Sequence, residues 1–363
     1  TIYDGVIGMY ISGKYSLIWF YLAALIVKIL FIYKTKVRFK ETHIFVLLPL
    51  VTYFIIFFFF GYGMASIKII FIIFCIFIIS QRVQKDTKYA RNIPYVLLCS
   101  SIFNVIALVF GLTSTIEGVE RQLGLGFSDP NYTSFVCILG LIVLMFDTYL
   151  VKHRIFSVLG VVLYILAIFT TGSRTGFILV LLIIMFKILL AKGIVAKFKF
   201  VLSALVIAIF CFFLILPYFS KSIDLLVERL VSTWRSLYAK NYAEATAGRS
   251  YIVKSYLDYF NRQGLHMQLF GGNLVGTSQL FEKVGGNYVT HNVYLDYILA
   301  FGIFGSVVFF GALMLSTVRY FKKYKSTNEN TYLIISMIKV FSLITGIALA
   351  FLQVNLWWVI VII

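Results

Sequence analysis

The dominant feature of this chain is a series of apolar runs, each about as long as a lipid bilayer is thick. A helix that crosses roughly 30 Å of hydrocarbon at about 1.5 Å per residue needs roughly 20 mostly apolar residues. Hydrophobic residues make up 61% of the chain and charged residues only 13%, and the mean hydropathy is +0.97. Since soluble domains do not have such a composition, we predict an integral membrane protein.

The pattern within the apolar runs predicts an all-α, polytopic fold. Apolar and polar residues do not alternate along them, as they do in the strands of a membrane barrel, and helices satisfy their own backbone hydrogen bonds in lipid. We therefore expect about ten transmembrane helices. They are predicted near residues 17–33, 44–60, 64–80, 94–111, 131–150, 154–171, 174–191, 198–217, 292–316 and 332–353.

The predicted spans divide the chain into three parts. Residues 1–217 form an N-terminal bundle of about eight spans, residues 218–290 form one large polar loop, and residues 291–363 form the C-terminal helices. Apolar residues recur at helical spacing within the loop, which predicts amphipathic helices there. The chain begins at Thr1 and stops inside an apolar run, so we expect it to be a fragment of a longer protein.

The basic residues predict how the chain is oriented. The net charge is +18, but Lys and Arg fall in every second loop instead of forming one patch, which indicates membrane topology rather than a nucleic-acid partner. The basic loops should be cytoplasmic, and the large loop then lies outside. Lys28, Lys68 and Lys339 stand inside apolar runs, where we favour snorkelling to the interface over a transport path.

Two external arginines and a histidine are the strongest candidates for chemistry. Arg174 stands in a short loop between two spans, and Arg249 lies in the large loop. Because a guanidinium group pairs bidentately with phosphate oxygens, both arginines point to an anionic, lipid-borne substrate. His291, at the start of a span, could accept a proton from a sugar hydroxyl as a catalytic base; the alternative is a helix cap or polar anchor.

Further polar residues near the same predicted face are candidate substrate contacts. Asp129 and Asn131 flank a proline just before a span, where capping of the helix is the simpler interpretation. Arg121 and Asn292 complete the set of candidate contacts. No HExxH motif, no clustered His and Cys ligands and no external DxD motif occur, so we predict that the site holds no metal and no cofactor.

Several short elements, in this order around a loop of this size, resemble the bacterial O-antigen polymerase and O-antigen ligase superfamily, which includes the Wzy-like polysaccharide polymerases. Each element is weak alone, but their order along a polytopic chain is more specific. The elements are DPN at 129–131, SRTG at 173–176, GR at 248–249, HN at 291–292 and GIFG at 302–305.

The resemblance implies a metal-independent membrane glycosyltransferase. Its substrate would be a glycan on an undecaprenyl diphosphate carrier, at the outer face of the bacterial cytoplasmic membrane. Arg174 and Arg249 would hold the diphosphate, and His291 occupies a position similar to that of the base proposed in the ligase branch. The expected partners are the lipid-linked glycan and the bilayer, with a chain-length regulator and a flippase, and no nucleic acid.

Three functions remain open at this point. We favour a polymerase that joins lipid-linked repeat units into O-antigen, capsule or exopolysaccharide. The richness in Ile, Phe, Lys and Tyr is typical of an AT-rich genome and suggests a Gram-positive source, which would lack lipid A as an acceptor. The first alternative is a ligase that transfers the polymer to an acceptor. The second is a flippase or transporter, but an external loop that carries candidate chemistry favours outward-facing catalysis over alternating access.

Overall fold

A computed structural model of the chain describes residues 87–112, 115–116, 119–124, 129–191, 193–198, 201–202, 205, 216–246, 248–271, 284 and 290–349. This part of the chain is mostly helical, as the apolar runs predict. The predicted spans at 17–33, 44–60 and 64–80, and most of the span at 198–217, lie outside the described residues.

The helices of the described part coincide with six of the predicted spans, those at 94–111, 131–150, 154–171, 174–191, 292–316 and 332–353. Two short strands, β1 (Thr115–Ile116) and β2 (Val119–Gln122), pair antiparallel between the first two helices. The helices are α1 (Thr87–Val109), α2 (Pro130–Phe146), α3 (Thr148–Lys152), α4 (Arg154–Thr170), α5 (Arg174–Leu190), α6 (Leu216–Tyr238), α7 (Tyr242–Ala245), α8 (Arg249–Asn261), α9 (Leu265–Phe270), α10 (Val293–Thr327) and α11 (Asn330–Gly346).

Length and composition support a membrane crossing most strongly for α10. Among the described residues, α10 is the one helix both long and apolar enough to cross a bilayer; α2, α11 and parts of α1 and α4 are shorter apolar helices. The helical class is therefore confirmed for this part of the chain, and the number of spans stays a prediction.

The span predicted at 131–150 is divided at Asp147. The Asp147 carboxylate accepts hydrogen bonds from the backbone N–H of Tyr149 at 2.9 Å and of Leu150 at 3.0 Å, so it caps α3. Tyr95 donates to the other carboxylate oxygen at 3.0 Å. Because this cap starts a new helix, α2 ends at Phe146, earlier than the apolar pattern predicts.

The described residues fall into two compact units. The first contains residues 91–239 and 327–338, and the second contains residues 87–90, 240–326 and 339–349. In the first unit α2 is the central helix and packs against α4 and α5. Gly140 permits this packing, because a Cβ there would lie 2.0 Å from Ser101 Oγ and 2.4 Å from the Tyr164 ring.

The second unit is organised around the contact between α8 and the start of α10. Tyr256, Tyr259 and Phe260 of α8 pack against Leu295 and Leu299 of α10 in a buried apolar cluster. Each such side chain contributes roughly 1.5 to 3 kcal/mol when it leaves water. The cluster therefore holds α8 firmly against the first turns of α10.

A close backbone contact in the second unit explains the first glycine of the GIFG element. Gly302 interrupts α10 with φ 67° and ψ −178°, and Gly271, which follows α9, has φ 79° and ψ −162°. This region of backbone conformation is essentially restricted to glycine. A Cβ on Gly302 would lie 2.3 Å from the Leu269 carbonyl oxygen, and one on Gly271 would lie 2.3 Å from that of Ala300.

The predicted snorkelling of Lys339 is wrong. Its side chain is only 1% exposed, and its amine donates a 2.6 Å hydrogen bond to Ser316 Oγ. The same amine lies 5.1 Å from the centroid of the Tyr320 ring. A polar and an aromatic partner on α10 thus hold the amine inside the protein. Lys28 and Lys68 lie outside the described residues.

Candidate functional site

The turn between α4 and α5 places Arg174 at the start of a helix in the first unit. Gly172 makes the turn with φ 57°. Ser173 then caps α5, because its hydroxyl oxygen accepts a 3.1 Å hydrogen bond from the Gly176 N–H. Gly176 brings α5 close to α2, since a Cβ there would lie 2.9 Å from the Cβ of Ser134. The SRTG element is therefore a helix start packed against α2.

Asn131 connects the DPN element to the SRTG element. Asp129 caps α2, as the sequence predicts: its carboxylate accepts hydrogen bonds from Asn131 N at 2.7 Å and Asn131 Nδ2 at 2.8 Å. The Oδ1 atom of Asn131 in turn accepts from Ser173 Oγ at 2.9 Å. Two elements that lie about forty residues apart in sequence thus share one polar network.

Arg121, on β2, joins the same network. Its Nε donates to the Thr171 carbonyl oxygen at 3.0 Å, and its Nη2 donates to Asn131 Oδ1 at 3.3 Å. The Cγ of Arg121 would lie 3.3 Å from a Cβ on Gly172, so its side chain packs directly on the turn. The structure therefore brings together Arg121, Asp129, Asn131 and Arg174, all of which the sequence singles out.

Helix α6 adds two residues that the sequence analysis did not assign to the site. Arg229 Nη1 donates a hydrogen bond to the Gly172 carbonyl oxygen, and Arg174 Nη1 donates one to Thr233 Oγ1. Thr233 Oγ1 itself donates to the Arg229 carbonyl oxygen at 2.6 Å. The spacing of four residues predicts that Arg229 and Thr233 share a helix face, but the sequence does not reveal that this face covers the turn.

Arg249 is the first residue of α8 in the second unit. Gly248 precedes it with φ 80°, a left-handed conformation that glycine adopts readily. Thr246 Oγ1 accepts a 3.0 Å hydrogen bond from the Ser250 N–H, which fixes the beginning of the helix. Arg249 is half-buried at this helix start. Like Arg174, it follows a glycine-containing turn and opens a helix.

His291 stands directly before α10 in an uncommon backbone conformation. Its φ is 49°, in the left-handed region that few residues other than glycine occupy. Asn292 makes the capping contact, since its Oδ1 accepts a 3.0 Å hydrogen bond from the Leu295 N–H. Asn292 Nδ2 also donates to the Ile347 carbonyl oxygen at 3.3 Å. The observed cap of α10 is thus Asn292, and the backbone of His291 is held between two anchored residues, Thr290 and Asn292.

A buried carboxylate supports the segment that carries His291. Asp296, in the first turn of α10, is 1% exposed and accepts a hydrogen bond from the Thr290 hydroxyl. Burial first, and the Asp296 carboxylate second, raise the pKa of Tyr256 on α8 to about 12. Asp296 does not stand out in the sequence, because an acidic residue in the first turn of a helix is common.

Replacing Thr290 by valine should lower the free energy of unfolding by about 1 to 3 kcal/mol, because the buried Asp296 loses a hydroxyl donor. Thermal unfolding of the purified protein in detergent measures the effect. Thr290→Ser keeps the hydroxyl and serves as the control. Equal melting of the valine variant and the wild type would show that this hydrogen bond does not stabilise the segment.

The site residues predicted from the sequence are divided between the units. Arg174 belongs to the first unit, whereas Arg249, His291 and Asn292 belong to the second. The predicted grouping of Arg174 with Arg249 and His291 stays a prediction. Within the described ranges, no three His, Cys, Asp or Glu side chains lie together as metal ligands would. That the site works without a metal likewise remains a prediction.

A known protein family matches the region of the chain that contains most of these residues. Residues 159–310 match the sequence model of a family described as O-antigen ligase. The match covers the SRTG, GR, HN and GIFG elements together with α6, whereas the DPN element precedes it. No curated protein matches the chain at a significant level.

Proposed function

We propose that the chain, whose residues 159–310 match a family described as O-antigen ligase, belongs to the O-antigen polymerase and ligase superfamily and polymerises oligosaccharide repeat units carried on undecaprenyl diphosphate. The reaction takes place at the outer face of a bacterial cytoplasmic membrane, and the product is capsular polysaccharide, exopolysaccharide or O-antigen. A flippase supplies the substrate, and a chain-length regulator limits the product.

The observation that carries this proposal is that Arg121 and Arg174 both lie at the turn between α4 and α5. Both residues are half-buried, and their guanidinium groups donate hydrogen bonds to Thr171 and Thr233. Arg174 also starts a helix of 17 residues, whose N-terminus favours negative charge. Charge-assisted, bidentate hydrogen bonds from guanidinium groups suit a diphosphate. In this proposal Asn131 holds Arg121 in place, Asp129 holds Asn131, and both contact the substrate.

His291, in the second unit, acts as the base. Its imidazole takes the proton from a hydroxyl of the acceptor sugar while the hydroxyl oxygen bonds to the anomeric carbon of the donor. The bond between that carbon and the diphosphate breaks, and undecaprenyl diphosphate leaves with the electron pair. The anchored backbone around His291 supports this role, because a base must be held at a fixed distance from the proton it takes. Arg249 contributes to binding of the leaving diphosphate, and Asn292 contacts the substrate.

A ligase is the second candidate, and the description of the matched family as O-antigen ligase favours it. The two reactions share donor, leaving group and base, and differ in the acceptor. A polymerase uses the next lipid-linked repeat unit, whereas a ligase uses a different acceptor molecule. The residues of the site fit both reactions, so the intermediates that accumulate in cells must separate them.

Gel analysis of surface glycan and lipid-linked intermediates tests the function in cells that carry the wild type, a deletion, Arg249→Ala or His291→Ala at matched expression. We expect the deletion to abolish long polymer and to leave single repeat units on the carrier. Each substitution should reduce polymer by at least about tenfold, since a lost charge-assisted contact costs about 1.5 to 3 kcal/mol and a lost general base costs about 10²- to 10⁴-fold.

Two other band patterns would contradict the proposed polymerase function. Full-length polymer that stays on the lipid carrier indicates a ligase. An accumulation of repeat units at the cytoplasmic face indicates a flippase and removes the proposed site as well.

A further inference from the structure

Helix α6 presents three different faces around its axis. At about 100° per residue, Leu226, Arg229, Thr233 and Ser236 fall on one side, and Val227, Val231, Trp234 and Tyr238 fall roughly opposite. Exposed charged residues, Asp224, Glu228 and Arg235, lie between these two faces. The three faces differ in polarity and charge, so we expect each face to have a different environment.

The first face of α6 covers the turn between α4 and α5. Leu226 and Ser236 are each 4% exposed, and Arg229 contacts the Gly172 carbonyl. Arg121 binds the neighbouring carbonyl, that of Thr171. Two guanidinium groups therefore bind consecutive peptide groups, and Arg174 follows two residues later. Arg121 and Arg229 thus bind carbonyl groups of the turn, whereas Arg174, at its end, contacts Thr233 of α6.

The opposite face of α6 is apolar and exposed. Val227, Val231, Trp234 and Tyr238 are all exposed, and Trp234 is exposed to 73%. An apolar stripe that contains Trp and Tyr, next to a charged face, is typical of a helix that lies in the headgroup layer of a membrane. The arginine face of the same helix then meets the α4–α5 turn at the depth where lipid phosphates occur.

From this arrangement we propose that Arg229 binds the diphosphate of the lipid carrier, together with Arg121 and Arg174, and that α6 lies in the headgroup layer above the α4–α5 turn. The inference rests on the proposed function and adds a ligand to its site. Guanidinium groups form charge-assisted, bidentate hydrogen bonds with phosphate oxygens, so three arginines from separate elements near this turn suit a diphosphate. The prenyl tail continues into the lipid that the apolar face of α6 contacts.

The test uses the full-length chain in lipid nanodiscs and measures binding of undecaprenyl diphosphate that carries no sugar. Arg229→Ala should weaken binding by about 10- to 100-fold, the range expected for a lost charge-assisted contact. Arg229→Lys should weaken it by about fivefold or more, because lysine keeps the charge but not the planar fork. Arg235→Ala, on the exposed charged face of the same helix, should bind within about twofold of the wild type.

A melting experiment separates binding from a purely structural role of Arg229. Ligand bound to the folded state raises the melting temperature, and a weaker site gives a smaller rise. We expect undecaprenyl diphosphate to raise the melting temperature of the wild type and of Arg235→Ala, and to raise that of Arg229→Lys much less. Should Arg229→Ala fail to fold, the lysine variant decides the result.

The outcomes distinguish this inference from the proposed function. Wild-type binding by the folded Arg229 variants overturns the role of Arg229, while the proposed function stands. If the wild-type chain itself does not bind undecaprenyl diphosphate, the proposed function fails and the inference fails with it.

Discussion

Replacing Arg174 by lysine should reduce surface polymer by about 10- to 100-fold at an unchanged level of the protein. Lysine keeps the positive charge but replaces a planar fork of five N–H donors by a single ammonium group. An ammonium group can still donate to Thr233 on α6, but bidentate pairing with phosphate is lost. A deficit of about 1.5 to 3 kcal/mol in binding of the transition state accounts for the expected range. Polymer is quantified on gels beside an immunoblot of the protein.

Arg235→Lys is the matched control for this experiment. Arg235 lies on the exposed face of α6, so the same change of chemistry there should leave polymer within about twofold of the wild type. If the Arg174→Lys variant produces polymer at the wild-type level, bidentate pairing of Arg174 with phosphate is not required.

Replacing Gly302 by alanine should prevent the folded protein from accumulating. The backbone at this position is essentially restricted to glycine, which costs another residue about 1 to 3 kcal/mol. The added Cβ would also lie 2.3 Å from the Leu269 carbonyl oxygen and 2.5 Å from Gly271 N, and backbone atoms cannot move aside cheaply. The strain and the clash add to each other, and an ordinary domain is stable by only about 5 to 15 kcal/mol. Size-exclusion chromatography of a fluorescent fusion measures the folded fraction.

Gly311→Ala tests whether any alanine in α10 is harmful. Among the residues that the structure describes, no atom lies within 4 Å of a Cβ at Gly311, so this change should leave folding intact or stabilise the helix by about 0.5 to 1 kcal/mol. A normal chromatogram for Gly302→Ala would mean that the close backbone contact between Gly271 and Gly302 is not required for folding.

The sequence predicts the helices well because apolar runs and caps are local signals. Asp129 before Pro130 predicts the start of α2, and the observed helix begins there. Arg174 is recognisable because cations are depleted from external loops. The end of α2 is not predicted, because one aspartate, Asp147, starts a new helix inside an otherwise apolar run.

Contacts between distant segments are what the sequence could not predict. In the sequence, Arg229 is one of several charged residues on an amphipathic helix. Only the structure shows that α6 covers the turn that carries Gly172. The interactions of Asp296 with Thr290 and Tyr256 are likewise visible only in the structure. The snorkelling predicted for Lys339 failed because its partner, Ser316, lies on another helix.

The measurement that tests the central claim most directly is reconstitution of the purified full-length chain with synthetic repeat units on undecaprenyl diphosphate. We expect a ladder of lipid-linked products and the release of one undecaprenyl diphosphate for each bond formed. We also expect Arg174→Ala and His291→Ala to produce no ladder from the same substrate. If the wild-type chain consumes no repeat unit, or if both variants extend it at the wild-type rate, the proposed function or its site is wrong.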